Sequence, residues 1–491
     1  MKTFHLHLKH IHLPIDSRFD HQISSVITQV NANSQLKYKS QQKMLVSTYE
    51  AARSIVEGLY QVYGSRHSQC RLAVPTSKSG YGNKPSQLPN YSHTAVLRVI
   101  VALQSLGWVI RERGFKNKDG ENILTRLHPS GELLKDFEKS KYLWRQMGPI
   151  KQDVIVLKTV DSATKLKVHC NFKDNNNIRR WRKNLQSYNA FISHHAICLS
   201  IDNLNLDWMV ARMANETYQL DWAYGDNRKK PRVFNYLHVQ LRRIFSRGSF
   251  ERGGRFYGGW WQFIPSEYRP FISINGLPTI EEDYSELHPR MMYREAGLSI
   301  PEGDLYDLGF RYDNLPYDKN VEPYKSKRKV IKTYINAMIN DDKGRFRLNG
   351  DQIQTLGLNT AQLEAAVFKK HPIIKEIKGR GHGLRYQFVD SQIAEKVMMK
   401  LLAKEVLCLP VHDSFICQQH HLSTLVEAMQ QAYEEVLGDA PQLKEIELPR
   451  TDFEPVYYPS GQLDLTYMKN MYKDAQNDLF LSSFFELQQK R

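Results

Sequence analysis

The stretch LPVHDSFICQ, Leu409–Gln418, places an aspartate inside a strand-length apolar run. Burying an unpaired carboxylate is costly, so Asp413 is tolerable in such a strand if a cation compensates its charge. A second aspartate has comparable surroundings in PFISINGLPTIEEDYSELHPRMMYREAG. There Phe271–Ile274 reads as an apolar strand and a turn follows. A short approach ends at Asp283, and a helix runs from about Leu287 to Arg294 until Gly297 stops it. Asp283 thus stands where a strand gives way to a helix, and Asp413 in or beside another strand. Carboxylates on neighbouring strands could hold a pair of divalent ions. Two metals about 3.5–4 Å apart clamp the attacking and leaving oxygens of an in-line phosphoryl transfer, and oxygen ligands suit Mg²⁺. The alternative is that each aspartate caps a turn.

Between the aspartates lies YKSKRKVIKTYINAMIND, in which five of the eight residues from Lys325 to Lys332 are basic. The segment is helical by pattern, and Arg328, Lys332, Asn336 and Asn340 share one face at i, i+4 steps. Arg and Lys one turn apart can grip a triphosphate, and a solvated basic face is the competing reading. The whole chain has 491 residues and a formal net charge of +16. That length allows two to four domains, and the charge favours a polyanionic partner, above all nucleic acid. The five cysteines, Cys70, Cys170, Cys198, Cys408 and Cys417, form no CxxC, which argues against a zinc ribbon or redox motif. They read as reduced thiols of a cytoplasmic protein. MKTFHLHLKHIHLPID alternates histidines with apolar residues and reads as a strand edge rather than a signal peptide. No stretch approaches the ~20 apolar residues of a membrane span.

Towards the N-terminus, SKSGYGNKPSQLPNYS reads as a loop. Ser92 then caps a helix carrying Val96, Val99, Ile100, Leu103 and Leu106, and Gly107 ends it. A strand from Trp108, the basic turn GFKNKDGEN, a return strand ILTRLHP and a short helix follow. This order resembles a winged helix of the helix-turn-helix class. The resemblance implies that the wing tip, with Lys116 and Lys118, touches phosphate; a winged helix that binds protein is the alternative. A strand pair near DVIVLKTVDSATKLKVHCNF precedes a basic helix with Ile178, Trp181, Leu185, Tyr188 and Phe191 on one side. From Leu241 to Gly276, arginines including Arg252 and Arg255 interleave with Phe256, Tyr257, Trp260 and Trp261, and with the pairs Gly253–Gly254 and Gly258–Gly259. Arginines contact phosphates and aromatic faces stack on bases. A structural hairpin with its aromatics in the core fits the same residues.

Taken in order, DYSELHPR, RKVIKTYINAMIN and VHDSF resemble motifs A, B and C of the family A polymerase superfamily, which includes bacterial DNA polymerase I and the single-subunit phage-type RNA polymerases. The resemblance covers roughly Val233 to Gly438. It implies an α+β right hand: a palm with an antiparallel sheet, fingers and a reduced thumb, preceded by the winged helix. The expected division is 1–145 for the winged helix, 146–232 for a linker and reduced thumb, and 233–491 for palm, fingers and a C-terminal helical tail. Two Mg²⁺ ions, with Mn²⁺ able to substitute, would be bound by Asp283, Asp413 and the backbone carbonyl of Tyr284. Arg328 and Lys332 would hold the nucleotide's phosphates, and Lys332 would protonate pyrophosphate. His412 would contact the primer terminus, and Gln392 the template–primer minor groove.

This sequence departs from the family pattern at several positions. His288 stands where the DNA polymerases place a glutamate that crowds the ribose 2′-OH. Asn336 and Asn340 replace the usual aromatic residues of motif B, and Glu282 replaces an apolar residue before Asp283. The expected function is a template-dependent nucleotidyltransferase acting on nucleoside triphosphates and a DNA template–primer, with no proofreading exonuclease. DYS favours a DNA polymerase. HDSF favours an RNA polymerase-like or primase-like enzyme acting on DNA or RNA. A non-catalytic winged-helix DNA-binding protein of replication or regulation is the reading from a different class, and a nuclease is a third. Oligomeric state is not legible in the sequence.

Overall fold

The computed structural model describes residues 4–7, 19–32, 38–64, 70–76, 92–116, 122–139, 153–162, 167–201, 203–215, 217–218, 230–231, 234, 238–311, 315–340 and 346–443. The C-terminal tail and Lys118 lie outside the described residues, and of Lys116 only the backbone is described. The architecture is α+β, with sheets that are mostly antiparallel. No helix among the described residues is long and apolar enough to cross a membrane.

The N-terminal region packs the Asp20–Ala32, Tyr38–Gly64 and His93–Ser105 helices against one another. Each offers an apolar stripe: Ile23, Val26 and Val30 on the first, Ile55, Val56 and Leu59 on the second, and Val96, Val99, Ile100 and Leu103 on the third. Ser92 caps the third helix, its hydroxyl accepting from the Ala95 N–H at 3.1 Å. Gly107, at φ +68°, turns the chain out of the helix. These helices lie beside a sheet of four strands in the order Phe4–His7, Cys70–Val74, Thr125–Pro129, Val109–Glu112. Within the histidine-alternating N-terminus, Phe4–His7 is a strand at a sheet edge. The hairpin of Val109–Glu112 and Thr125–Pro129 continues into the short pair Phe115–Lys116 and Asn122–Ile123.

The larger part is built on two sheets. One has the order Ser249–Tyr257, Arg242–Ser246, Ile155–Val160, Lys167–His169. The other has the order Cys408–Val411, Ser414–Gln418, Leu277–Asp283, Ile272–Ile274, Ile197–Leu199. The Gly383–Ala403 helix crosses the Ser249–Tyr257 strand and packs on the Leu422–Leu437 helix. On the Asn176–Ile192 helix, Ile178, Trp181, Leu185 and Tyr188 are buried, and the Tyr188 hydroxyl donates to the Cys408 carbonyl at 2.6 Å. On the same helix Arg182 is clamped by Asp153 and Asp174. Strands from 153–201 pair with strands from beyond 240 in both sheets, so hydrogen-bonded ladders span the expected boundary at 232/233.

The basic aromatic stretch takes its structural form. Trp260 and Trp261 are fully buried, and the Trp261 indole donates to the Pro410 carbonyl at 3.1 Å. Neither ring is available to stack on a base. Gly258, at φ +131°, lets the chain pass so close to Gln240 that a Cβ would lie 2.4 Å from its carbonyl oxygen.

Candidate active site

Asp283 is the last residue of its strand and faces Ser414 across an antiparallel pair. Val411 also pairs with Ser414, so His412 and Asp413 form the two-residue turn between the Cys408–Val411 edge strand and the Ser414–Gln418 strand. His412 adopts φ +65°, a left-handed conformation that hairpin turns of this length call for. The Tyr284 N–H donates to the Asp413 carbonyl at 3.3 Å, which brings the two expected motifs together at the backbone. The Tyr284 ring is held in the core, its hydroxyl donating to the Met429 carbonyl at 2.7 Å. This convergence answers the constraint posed by Asp413: the aspartate lies at a turn at the sheet's end, half-buried, rather than within the strand.

A cleft of about 370 Å³ opens at this turn, and among its lining residues are Arg255, Tyr284, His288, Lys332, Asn336 and Asp413. Lys332 and Asn336 reach it from the Tyr324–Asn340 helix, whose opposite face buries Val330, Ile331, Tyr334, Ile335 and Met338. The helix is amphipathic, and of its basic residues Lys332 is the one that lines the cleft.

Arg328 is placed differently. Its Nε donates to Asp304 Oδ2 at 2.5 Å and its Nη2 to Asp304 Oδ1 at 3.2 Å, and Glu286 Oε1 stands 3.8 Å from Nη2. Although burial opposes ionisation of Asp304, Arg328, Glu286 and Tyr317 hold its carboxyl well below the ordinary range. Burial, reinforced by Asp304, pushes the Glu286 carboxyl up to about 7. Glu286 also accepts from the Leu305 N–H at 2.7 Å and from Arg290 at 3.2 Å. Both carboxylates escaped the reading of the sequence. Glu286 lies at a helix start and Asp304 in a loop, where acidic residues are ordinary.

A second group missed in the sequence centres on Asp390, buried on the Gly383–Ala403 helix. Arg255 Nε donates to its two oxygens at 3.1 and 2.9 Å, and His288 Nε2 lies 2.9 Å from Oδ2. Burial works against the Asp390 charge, yet Arg255 and His288 keep its carboxyl below the usual value. The ring of His412 meets Tyr257 edge-on at 5.2 Å, and burial, with Arg255 nearby, depresses its imidazole to about 4.

The remaining expected residues lie elsewhere. Arg252 is exposed on the Ser249–Tyr257 strand. Gln392 lines a separate cleft of about 590 Å³, with Asn175, Arg180 and Lys396.

No protein-family model and no curated protein matches the chain. Among solved structures, the chain is similar to the POL domain of Pol1 from M. smegmatis in complex with DNA primer-template and dNTP, at 13% identity and a TM-score of 0.29, over 82% of this chain and 68% of that one. At that TM-score the likeness identifies neither a fold nor an activity.

Among the described residues no group of three or more His, Cys, Asp or Glu side chains could hold a metal ion. Mg²⁺ asks for less from a protein. It keeps several waters and is bound through one or two carboxylates together with substrate phosphates. Asp413 lines the cleft, and the strand ending at Asp283 is joined to the Asp413 turn at the backbone through Tyr284, so these two carboxylates would be the ones to supply that donor set.

Proposed function

We propose that the chain is a template-dependent nucleotidyltransferase, a DNA polymerase of the two-metal kind. The observation that carries this reading is the backbone pairing that joins the strand ending at Asp283 to the turn at Asp413, which lines a cleft together with Tyr284 and Lys332. In this reading Asp283, Asp413 and the Tyr284 carbonyl hold Mg²⁺, which when bound supplies the charge that steadies the attacking and leaving oxygens at phosphorus.

The chain's own residues do the rest. Lys332 meets the triphosphate from the helix above and gives a proton to the departing pyrophosphate. Asn336, one turn on, and His288, across the cleft, face the nucleotide's sugar. Asp390 fixes His288 and Arg255 through buried hydrogen bonds, so the wall near the sugar is rigid. His412 stays neutral at physiological pH and offers a polar edge to the primer end. Arg252 and Gln392 serve template and primer.

We read the N-terminal region as a winged helix that brings the enzyme to nucleic acid through the turn carrying Lys116 and Lys118. Three mutually packed helices support this, together with the antiparallel order Cys70–Val74, Thr125–Pro129, Val109–Glu112.

The test is primer extension with Mg²⁺, offering dNTPs and rNTPs separately on DNA and RNA templates. Extension of a DNA primer by dNTPs, lost in Asp413→Asn, is the expected result. DNA binding without any incorporation would turn the reading towards a non-catalytic DNA-binding protein.

A further inference from the structure

We propose that Asp304 is a latch on Arg328: its carboxylate holds the guanidinium away from the cleft until the triphosphate of an incoming nucleotide draws it over, so that Asp304 sets the affinity for that triphosphate. The inference rests on the nucleotide reading of the same cleft.

Arg328 and Lys332 stand one turn apart on the Tyr324–Asn340 helix and flank the same aromatic ring. The Arg328 guanidinium carbon lies 4.9 Å from the centroid of Tyr306, and Lys332 Nζ lies 6.0 Å from it. Their partners differ. Lys332 lines the cleft, whereas Arg328 does not and spends its side-on fork, Nε and Nη2, on Asp304.

Asp304 itself is anchored by groups other than Arg328. The Tyr317 hydroxyl donates to Oδ2 at 2.6 Å and the Tyr306 N–H to Oδ1 at 2.9 Å. Lys370 Nζ donates to the Asp304 backbone carbonyl at 2.6 Å and also to that of Asp307. The carboxylate therefore keeps hydrogen-bond donors if the guanidinium leaves.

A guanidinium fork matches carboxylate and phosphate equally well in shape. A triphosphate carries more negative charge than one carboxylate, so it can compete for the fork once Lys332 has engaged it. One helical turn is about 5.4 Å, which keeps Arg328 within side-chain reach of a phosphate chain held by Lys332. The cost of releasing the latch is subtracted from every nucleotide bound, just as a sparsely populated binding-competent state lowers apparent affinity.

The experiment measures binding of inorganic tripolyphosphate and of a nucleoside triphosphate to the full chain by calorimetry, alongside KM and kcat in primer extension. Asp304→Asn keeps one acceptor oxygen, for the Tyr306 N–H, sets its amide NH2 against the Tyr317 hydroxyl, which can rotate to accept, and loses the charge. It should tighten tripolyphosphate binding and lower the nucleotide KM by about tenfold, with kcat little changed. Asp304→Glu should return both towards wild type. Arg328→Ala should weaken binding and abolish the gain when combined with Asp304→Asn.

Unchanged or weaker binding by Asp304→Asn overturns the latch while leaving the nucleotide reading intact, provided the wild type extends primers. If neither Asp304→Asn nor Asp304→Ser melts cooperatively, Asp304 is a structural anchor and the proposal fails. A wild-type chain that binds no triphosphate and extends no primer removes both the latch and the reading beneath it.

Discussion

The Asp413 carbonyl accepts a hydrogen bond from the Tyr284 N–H at 3.3 Å, carrying the strand ladder one residue past Asp283. Two aspartates far apart in the chain thereby become neighbours at one end of a sheet. The ladder fixes their backbones, so the pair is preorganised before any ligand arrives.

Replacing either carboxylate by its amide should then leave the fold intact and remove the chemistry. Asp283→Asn and Asp413→Asn are each expected to lower nucleotide incorporation by about a thousandfold or more, since metal stabilisation of the transition state amounts to several kcal/mol and each 1.4 kcal/mol is a factor of ten. Single-turnover extension measures the loss, and a mobility-shift assay should show DNA binding retained. Extension at wild-type rates in both variants would remove these residues from the site.

Asp390 is the buried counter-charge of Arg255 and the hydrogen-bond partner of His288. Removing one member of a buried ion pair leaves the other uncompensated, at a cost of about 3–5 kcal/mol. Asp390→Asn should therefore shift the urea midpoint markedly downward. Arg252→Gln, on the exposed part of the same strand as Arg255, should change the unfolding free energy by less than about 0.5 kcal/mol and leave the midpoint nearly in place. Equal, small shifts in the two variants would mean that Arg255 finds another partner.

Among the histidines whose burial makes stability sensitive to acid are His169 and His238, neither of which lines the cleft. Burial, aided by Lys158 and Arg242, depresses His169 to about 4, and burial with Arg242 depresses His238 to about 4. In the unfolded chain both titrate near 6.5. Between those values the unfolded state binds more protons, so stability is fully present above about pH 6.5 and is lost as pH falls towards 4. At the acid end the loss is about 3 kcal/mol for each imidazole. Melting temperature followed from pH 7.5 to 4.5 should fall, and His169→Gln should flatten the curve. Identical curves for wild type and variant would rule out His169 as a source.

Gly258→Ala should be among the more damaging single-methyl changes in the protein. The added carbon would sit 2.4 Å from the Gln240 carbonyl oxygen, on a backbone at φ +131°. Such a conformation alone costs about 1–3 kcal/mol for a residue with a side chain. Gly297, at φ +66° but with open space around its Cβ position, is the control and should tolerate alanine better. Thermal melts of the two variants compare them directly.

Much of the local structure was legible in the sequence because it depends on neighbours in the chain. The cap at Ser92, the strand ending at Asp283, the helix stopped by Gly297 and the amphipathic Tyr324–Asn340 helix all follow from periodicity and turn chemistry. Of the residues the quoted motifs selected, Tyr284, His288, Lys332, Asn336 and Asp413 line the cleft, and Asp283, Arg328 and His412 do not. Spacing could not separate Arg328 from Lys332, because both lie on one helical face. The partner that divides them, Asp304, comes from a loop 24 residues before Arg328.

Only the tertiary structure decided three further things. Trp260 and Trp261 went to the core, the strands of residues 153–201 joined the two main sheets, and Asp390 became the counter-charge of Arg255. The physical reason is range. Periodicity and capping act within a few residues, whereas burial and charge pairing depend on which distant segments share a dry interior, and that is set only when the chain has closed on itself.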